Sequence, residues 1–118
     1  MFKLKSQETL SVAPASLVYY NGGTYDWLTY KYWELEKECT YMVGVNVVFS
    51  SAPSYTALGT RLRESSISYG MFRGAGATAF QATFLIYPDS IIYITLPYQK
   101  KTLLTSMTLY LSELEKGF

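Results

Sequence analysis

The side chains best placed to do chemistry in this 118-residue chain are three glutamates at alternate positions, Glu34, Glu36 and Glu38, and two arginines spaced the same way, Arg61 and Arg63. On a strand, period-two spacing puts like residues on one face. The glutamates would then form a calcium site or an acid/base pair, and the arginines a grip for an anionic sugar or phosphate. The plainer readings are a solvated face beside inward-pointing Trp33 and Leu35, and cross-strand pairing of arginine with glutamate. Cys39 is the one cysteine, so it has no thiol partner for an intrachain disulfide, a redox pair or a zinc site. Acidic neighbours Glu36 and Glu38 raise a thiol's pKa, which points to an inert side chain. Residues 74–79, Gly-Ala-Gly-Ala-Thr-Ala, have dinucleotide-fingerprint spacing but precede a strand-like segment instead of opening a helix, so they read as a loop.

The chain contains no histidine, which removes imidazole as a general base or metal ligand. An enzyme built from what remains would be a carboxylate glycosidase, using two of Asp26, Glu34, Glu36, Glu64 and Asp89 held ~5 to 9 Å apart. Ten basic residues stand against nine acidic ones, so no basic field is available for nucleic acid or an anionic membrane. No apolar run approaches the ~20 residues needed to span a bilayer. The N-terminal residues lack the apolar core of a secretory leader. No metal, cofactor or catalytic group is expected.

These side chains need strands to position them. Aromatics make up 17% of the chain, and with Val, Ile and Thr they are the residues that suit a pleated, half-buried surface. Residues 40–49 put Tyr41, Val43, Val45, Val47 and Phe49 on one face. Residues 80–87 alternate likewise, Pro88-Asp89-Ser90 forms a turn, and residues 91–96 resume, which reads as a hairpin. Further strands are expected at 17–20, 30–35 and 57–64, with loops at 50–54 and 70–76. At the C-terminus Leu103, Leu104, Met107, Leu111 and Leu114 fit a helical stripe, but the alternation of Met107, Leu109 and Leu111, together with Thr102, Thr105 and Thr108, favours a strand, with 113–118 a helical turn or frayed. The expected architecture is an all-β, single-domain antiparallel β-sandwich over 1–118, with 1–14 an N-terminal arm or first strand.

Between Tyr19 and Trp33 lie seven aromatics, together with Asp26 and two glycines. Aromatic faces suit subunit interfaces and also stack on the apolar faces of sugar rings. From this segment Tyr25, Asp26, Trp27 and Tyr30 are the candidate ligand-binding residues.

In order and spacing, Val18-Tyr19-Tyr20-Asn21, Tyr25-Asp26 and the stretch from Tyr41 to Phe49, followed by 82–96 and 107–111, resemble the jelly-roll globular head of the complement and tumour-necrosis-factor-like superfamily. Pro88-Asp89 replaces that family's Gly-Asp turn, and Thr105-Ser106-Met107-Thr108 replaces its aromatic-Ser-Gly-Phe signature. These departures fit the viral or phage receptor-binding branch best. The resemblance implies a jelly roll of eight to ten strands, assembled as a homotrimer, with ligands bound at its apex or between subunits. Tyr41, Val43, Phe84 and Leu109 are the expected interface residues. The functional expectation is a non-enzymatic attachment protein of a virion, binding a host-surface glycan or receptor. The alternatives are a minor capsid or assembly protein that binds only other virion proteins, and the glycosidase. Made in a host cytoplasm and released in a particle, it would act on the virion or outside the cell.

Overall fold

Alternation of large apolar with small or polar residues makes each strand two-faced, and in the computed structural model, which describes residues 2–116, nine such strands close two sheets over one core. They are β1 (Phe2–Val12), β2 (Val18–Asn21), β3 (Tyr25–Trp33), β4 (Thr40–Phe49), β5 (Thr56–Leu62), β6 (Ser68–Gly74), β7 (Ala79–Ile86), β8 (Ser90–Pro97) and β9 (Leu104–Lys116). Single 3-10 turns at Pro14–Ser16 and Lys101–Leu103 lead into β2 and β9. The first sheet runs β1-β9-β4-β7 and the second β2-β3-β8-β5-β6, and every pairing is antiparallel. With β2 set aside as an added edge strand, successive strands alternate between sheets except for the β5–β6 hairpin, and first and last pair, which is jelly-roll connectivity. Among the described residues no helix is long and apolar enough to cross a membrane.

The core lies between the sheets. Val43, Val45, Val47, Met107 and Leu109 come from the first, and Leu28, Leu58, Ile92, Ile94 and Leu96 from the second. β8 is central in its sheet and buried along almost its whole length, as its Ile-Ile-Tyr-Ile-Thr-Leu sequence dictates.

Four expectations need correction. Residues 86–90 do not close a hairpin, because β7 pairs with β4 whereas β8 pairs with β3 and β5. Asp89, at φ 62°, turns the chain from one sheet to the other. The 70–76 segment is not a loop; most of it is edge strand β6, and its glycine is a packing device. A Cβ on Gly70 would come within 2.8 Å of the Thr60 hydroxyl and 3.0 Å of the Phe84 ring. Glu34, Glu36 and Glu38 lie in the loop after β3, not on a strand. The C-terminal segment is strand through Lys116; the expected fraying at 117–118 lies outside the described residues.

Candidate functional site

The β2–β3 hairpin sets the parity of the aromatic segment. Its register pairs Tyr20 with Trp27 and Val18 with Thr29, and pairs Tyr19 with Leu28 and Asn21 with Asp26. Leu28 belongs to the core, so Tyr19, Asn21, Asp26 and Tyr30 share the inward face. Val18, Tyr20, Tyr25, Trp27 and Thr29 share the outward one. Of the four expected ligand-binding residues, Tyr25 and Trp27 therefore stand on the outer surface, and the other two do not join them. Asp26 is fully buried; it accepts a hydrogen bond from the Tyr19 hydroxyl at 3.0 Å on Oδ1, while Oδ2 has no partner among the described residues. A carboxyl sealed there cannot reach a sugar hydroxyl or act on an external substrate. Tyr30 packs against the core, 5.5 Å from the Trp33 ring.

The outer face of the second sheet carries an aromatic shelf. Trp27 lies 5.0 Å from the Tyr93 ring and Tyr25 lies 4.9 Å from Tyr55. The indole also folds onto the hairpin turn: a Cβ on Gly22 would sit 2.8 Å from its Nε1, so only glycine admits this close approach. Tyr20, Trp27, Thr29, Arg61 and Ser66 surround a concave space of 340 Å³. Arg61 donates from Nη1 to the Ser65 carbonyl at 2.6 Å, which pins the loop carrying Ser66. Tyr20, Thr29 and Ser66 were not among the expected ligand-binding residues, and Arg61 was considered only as half of an anion grip with Arg63, which instead pairs with Asp89 and Glu64. The Asn21-Gly22-Gly23 turn is the sequence signal that points to Tyr20, since a hairpin there places it across from Trp27.

The residues expected at a subunit interface lie inside the chain's own core. Tyr41, Val43, Phe84 and Leu109 are between 0% and 8% exposed, because odd positions of β4 face the other sheet. Neighbouring positions make the outer surface of the first sheet: Met42, Gly44, Asn46 and Val48 on β4, Ser106, Thr108, Tyr110 and Ser112 on β9, Gln7, Thr9 and Ser11 on β1, and Gln81, Thr83 and Leu85 on β7. None of these is charged. Over Gly44 the face dips into a depression of 340 Å³ bordered by Met42, Asn46, Thr83, Tyr110 and Ser112. At the open edge between β6 and β7, exposed Tyr69, Met71, Phe72, Leu85 and Tyr87 border a 520 Å³ groove.

The charged groups cluster elsewhere. Glu36, Cys39 and Glu113 bring three ligand atoms within 4.8 Å of one another, but the Lys5 ammonium already lies among them, 3.1 Å from Glu113 and 3.9 Å from Glu36. The Cys39 thiol, Lys5 and the Ser6 hydroxyl hold the Glu113 carboxyl down to about 2, and Glu113 in turn raises the Cys39 thiol. A thiol kept protonated beside an ammonium is a poor metal ligand, so the cluster reads as an ion-pair tie of β1 and β9 to the β3–β4 loop. Arg63 pairs with Asp89 at 3.5 Å and Glu64 at 3.8 Å, not with the glutamates after β3. The five carboxyls considered for a glycosidase are thus divided among a sealed interior, the loop after β3 and an arginine pair.

No protein-family model and no curated protein sequence matches the chain. Its fold has solved counterparts. The vertex protein P5 of PRD1 superposes with a TM-score of 0.54 at 10% identity, covering 94% of this chain and 98% of that one. Murine APRIL, a tumour-necrosis-factor-like protein, gives 0.53 at 8% identity over 91% and 99%. The CBM36-1 domain of a multidomain xylanase from the hindgut metagenome of Trinervitermes trinervoides gives 0.52 at 11% identity over 94% and 100%. The vertex protein, APRIL and the xylanase domain share this fold with the chain, and the likeness to each is one of jelly-roll architecture.

Proposed function

We propose that the chain is a non-enzymatic structural and attachment protein of a virus or phage, a homotrimeric jelly-roll head that holds a host-surface glycan or receptor on its outward sheet. The observation that carries this reading is the contrast between the two outer faces. That of the first sheet is neutral across four strands and dips at Gly44, and depletion of charge marks the centre of protein interfaces. The apolar β6–β7 edge is a second, unlike patch. Two unlike patches that meet head to tail build a ring where the rotation closes, whereas a twofold dimer sets each patch against itself. With the first sheet turned to its neighbours, the aromatic shelf of the second faces outward, repeated once per subunit for avidity. The viral vertex protein among the structural counterparts agrees with this setting.

Light scattering across a dilution series tests the assembly. The expected mass is three chains, falling to one in a folded Thr108→Lys variant, since that substitution sets an unpaired charge at the centre of the neutral face. A wild-type chain that stays monomeric at every concentration overturns the trimer.

A further inference from the structure

We infer that the outward shelf takes an acidic sugar, a pyranose bearing a carboxylate, with the ring laid on Trp27 and Tyr20 and the carboxylate gripped by Arg61. The inference rests on the attachment reading and narrows it to a ligand class. Three observations support it. The 340 Å³ space is lined by two aromatic rings and by the short polar side chains of Thr29 and Ser66, and its size falls within the ~300–1,000 Å³ of small-molecule sites. Arg61 is half-buried at its rim, yet among the described residues it forms no ion pair. Its sole hydrogen bond there leaves from Nη1 to the Ser65 carbonyl. That bond fixes the guanidinium and leaves the Nε–Nη2 side free for two parallel hydrogen bonds, the geometry a carboxylate matches.

A half-buried cation without a counter-charge beside exposed aromatics is complementary to an anion that also has an apolar face. An acidic pyranose has both. A neutral sugar would use the rings and leave the guanidinium unmatched. A free inorganic anion would use the guanidinium and leave the rings uncovered. Trp27 is held for the purpose, by Tyr93 on one side and Gly22 on the other, so little ordering is needed when a ring stacks on it.

The test follows the two indole N–H resonances by NMR while the full chain is titrated with methyl α-N-acetylneuraminide or methyl β-glucuronide, each against its uncharged methyl ester. Trp33, packed against the core, is the internal control. At least one acid should move the Trp27 signal and leave Trp33 in place, binding about tenfold more tightly than its ester. Arg61→Ala should bring acid and ester level, Arg61→Lys should restore part of the difference, and Tyr20→Ala, which keeps the Trp27 reporter, should weaken both. Equal response to acid and ester overturns the acidic class but leaves a sugar site on the shelf. Binding on a glycan array without movement of Trp27 overturns the site and leaves the attachment reading standing. Silence in both experiments overturns the acidic-sugar site together with the glycan form of the attachment reading.

Discussion

Replacing Gly59 with alanine should unseat the aromatic shelf from beneath. Gly59 lies directly opposite Tyr93 on β8, and because it has no side chain the phenol lies flat across it to reach Ser68 on β6. A Cβ there would collide with the Tyr93 hydroxyl oxygen, and would stand 2.5 Å from its Cζ and 2.7 Å from the Gly70 carbonyl. Neither obstacle is the loose end of a flexible chain. Tyr93 is 1% exposed and Gly70 is backbone of a paired strand, so the cost belongs at the top of the overpacking range, about 3 kcal/mol. For a chain of this length that corresponds to a fall in Tm of ~12 °C. Urea denaturation at fixed protein concentration measures it. The Tyr93→Leu change alone, removing a buried ring, should cost about 3 kcal/mol. The double variant should cost about 4 kcal/mol instead of the sum, because the new methyl occupies space the ring has left. Since Trp27 rests on Tyr93, the single Gly59→Ala variant should also shift indole fluorescence. Stability within about 0.5 kcal/mol of wild type, or strict additivity in the cycle, would refute the contact as the reason for this glycine.

Two further changes probe polar groups. Tyr19→Phe removes the one hydrogen bond that the described residues make to the sealed Asp26 carboxyl and should destabilise the fold by about 1 to 3 kcal/mol, whereas Tyr20→Phe, outside on the shelf, should be near neutral in the same denaturation experiment. Glu113 has a folded pKa of about 2 against an ordinary 4.5. Its ionised form is therefore favoured by folding; the contribution is complete above about pH 4.5 and is lost as pH falls towards 2. Glu113→Gln should accordingly be less stable than wild type at neutral pH, and the gap between their urea midpoints should close across that window; a gap that stays constant would contradict the Lys5–Glu113–Cys39 arrangement.

The legible parts of this fold were those where one physical signal acted alone. β4 matches its expected bounds because valines and aromatics alternate without interruption from Thr40 to Phe49, and β9 was readable as strand because its threonines argue against a helix. β6 was hidden because Gly70 and Gly74 mimic a loop, and the reason for glycine at 70, close packing on Thr60 and Phe84, exists only once three strands have met. The turn at Pro88-Asp89 was correctly placed but wrongly connected. A turn signal says that the chain reverses; it does not say whether the next strand joins the same sheet or the opposite one.

The same limit explains the candidate residues. Local density singled out Tyr25, Asp26, Trp27 and Tyr30 as a group, but in a strand, adjacent side chains point to opposite faces, so no such run can act as one surface. Parity separates them into Tyr25 and Trp27 outside and Asp26 and Tyr30 inside. It also separates the buried Tyr41, Val43, Phe84 and Leu109 from the neutral surface one residue away. What then assembles the outer shelf is register between strands distant in sequence: Tyr20 beside Trp27 through the hairpin, and Tyr93 and Arg61 through the β3–β8–β5 pairing. Arg61, from a strand thirty-four residues beyond Trp27, supplies the charge that the aromatic segment lacks. Recognition on this sheet is a property of its rows across strands, which is why a substitution as remote as Gly59→Ala is expected to reach it.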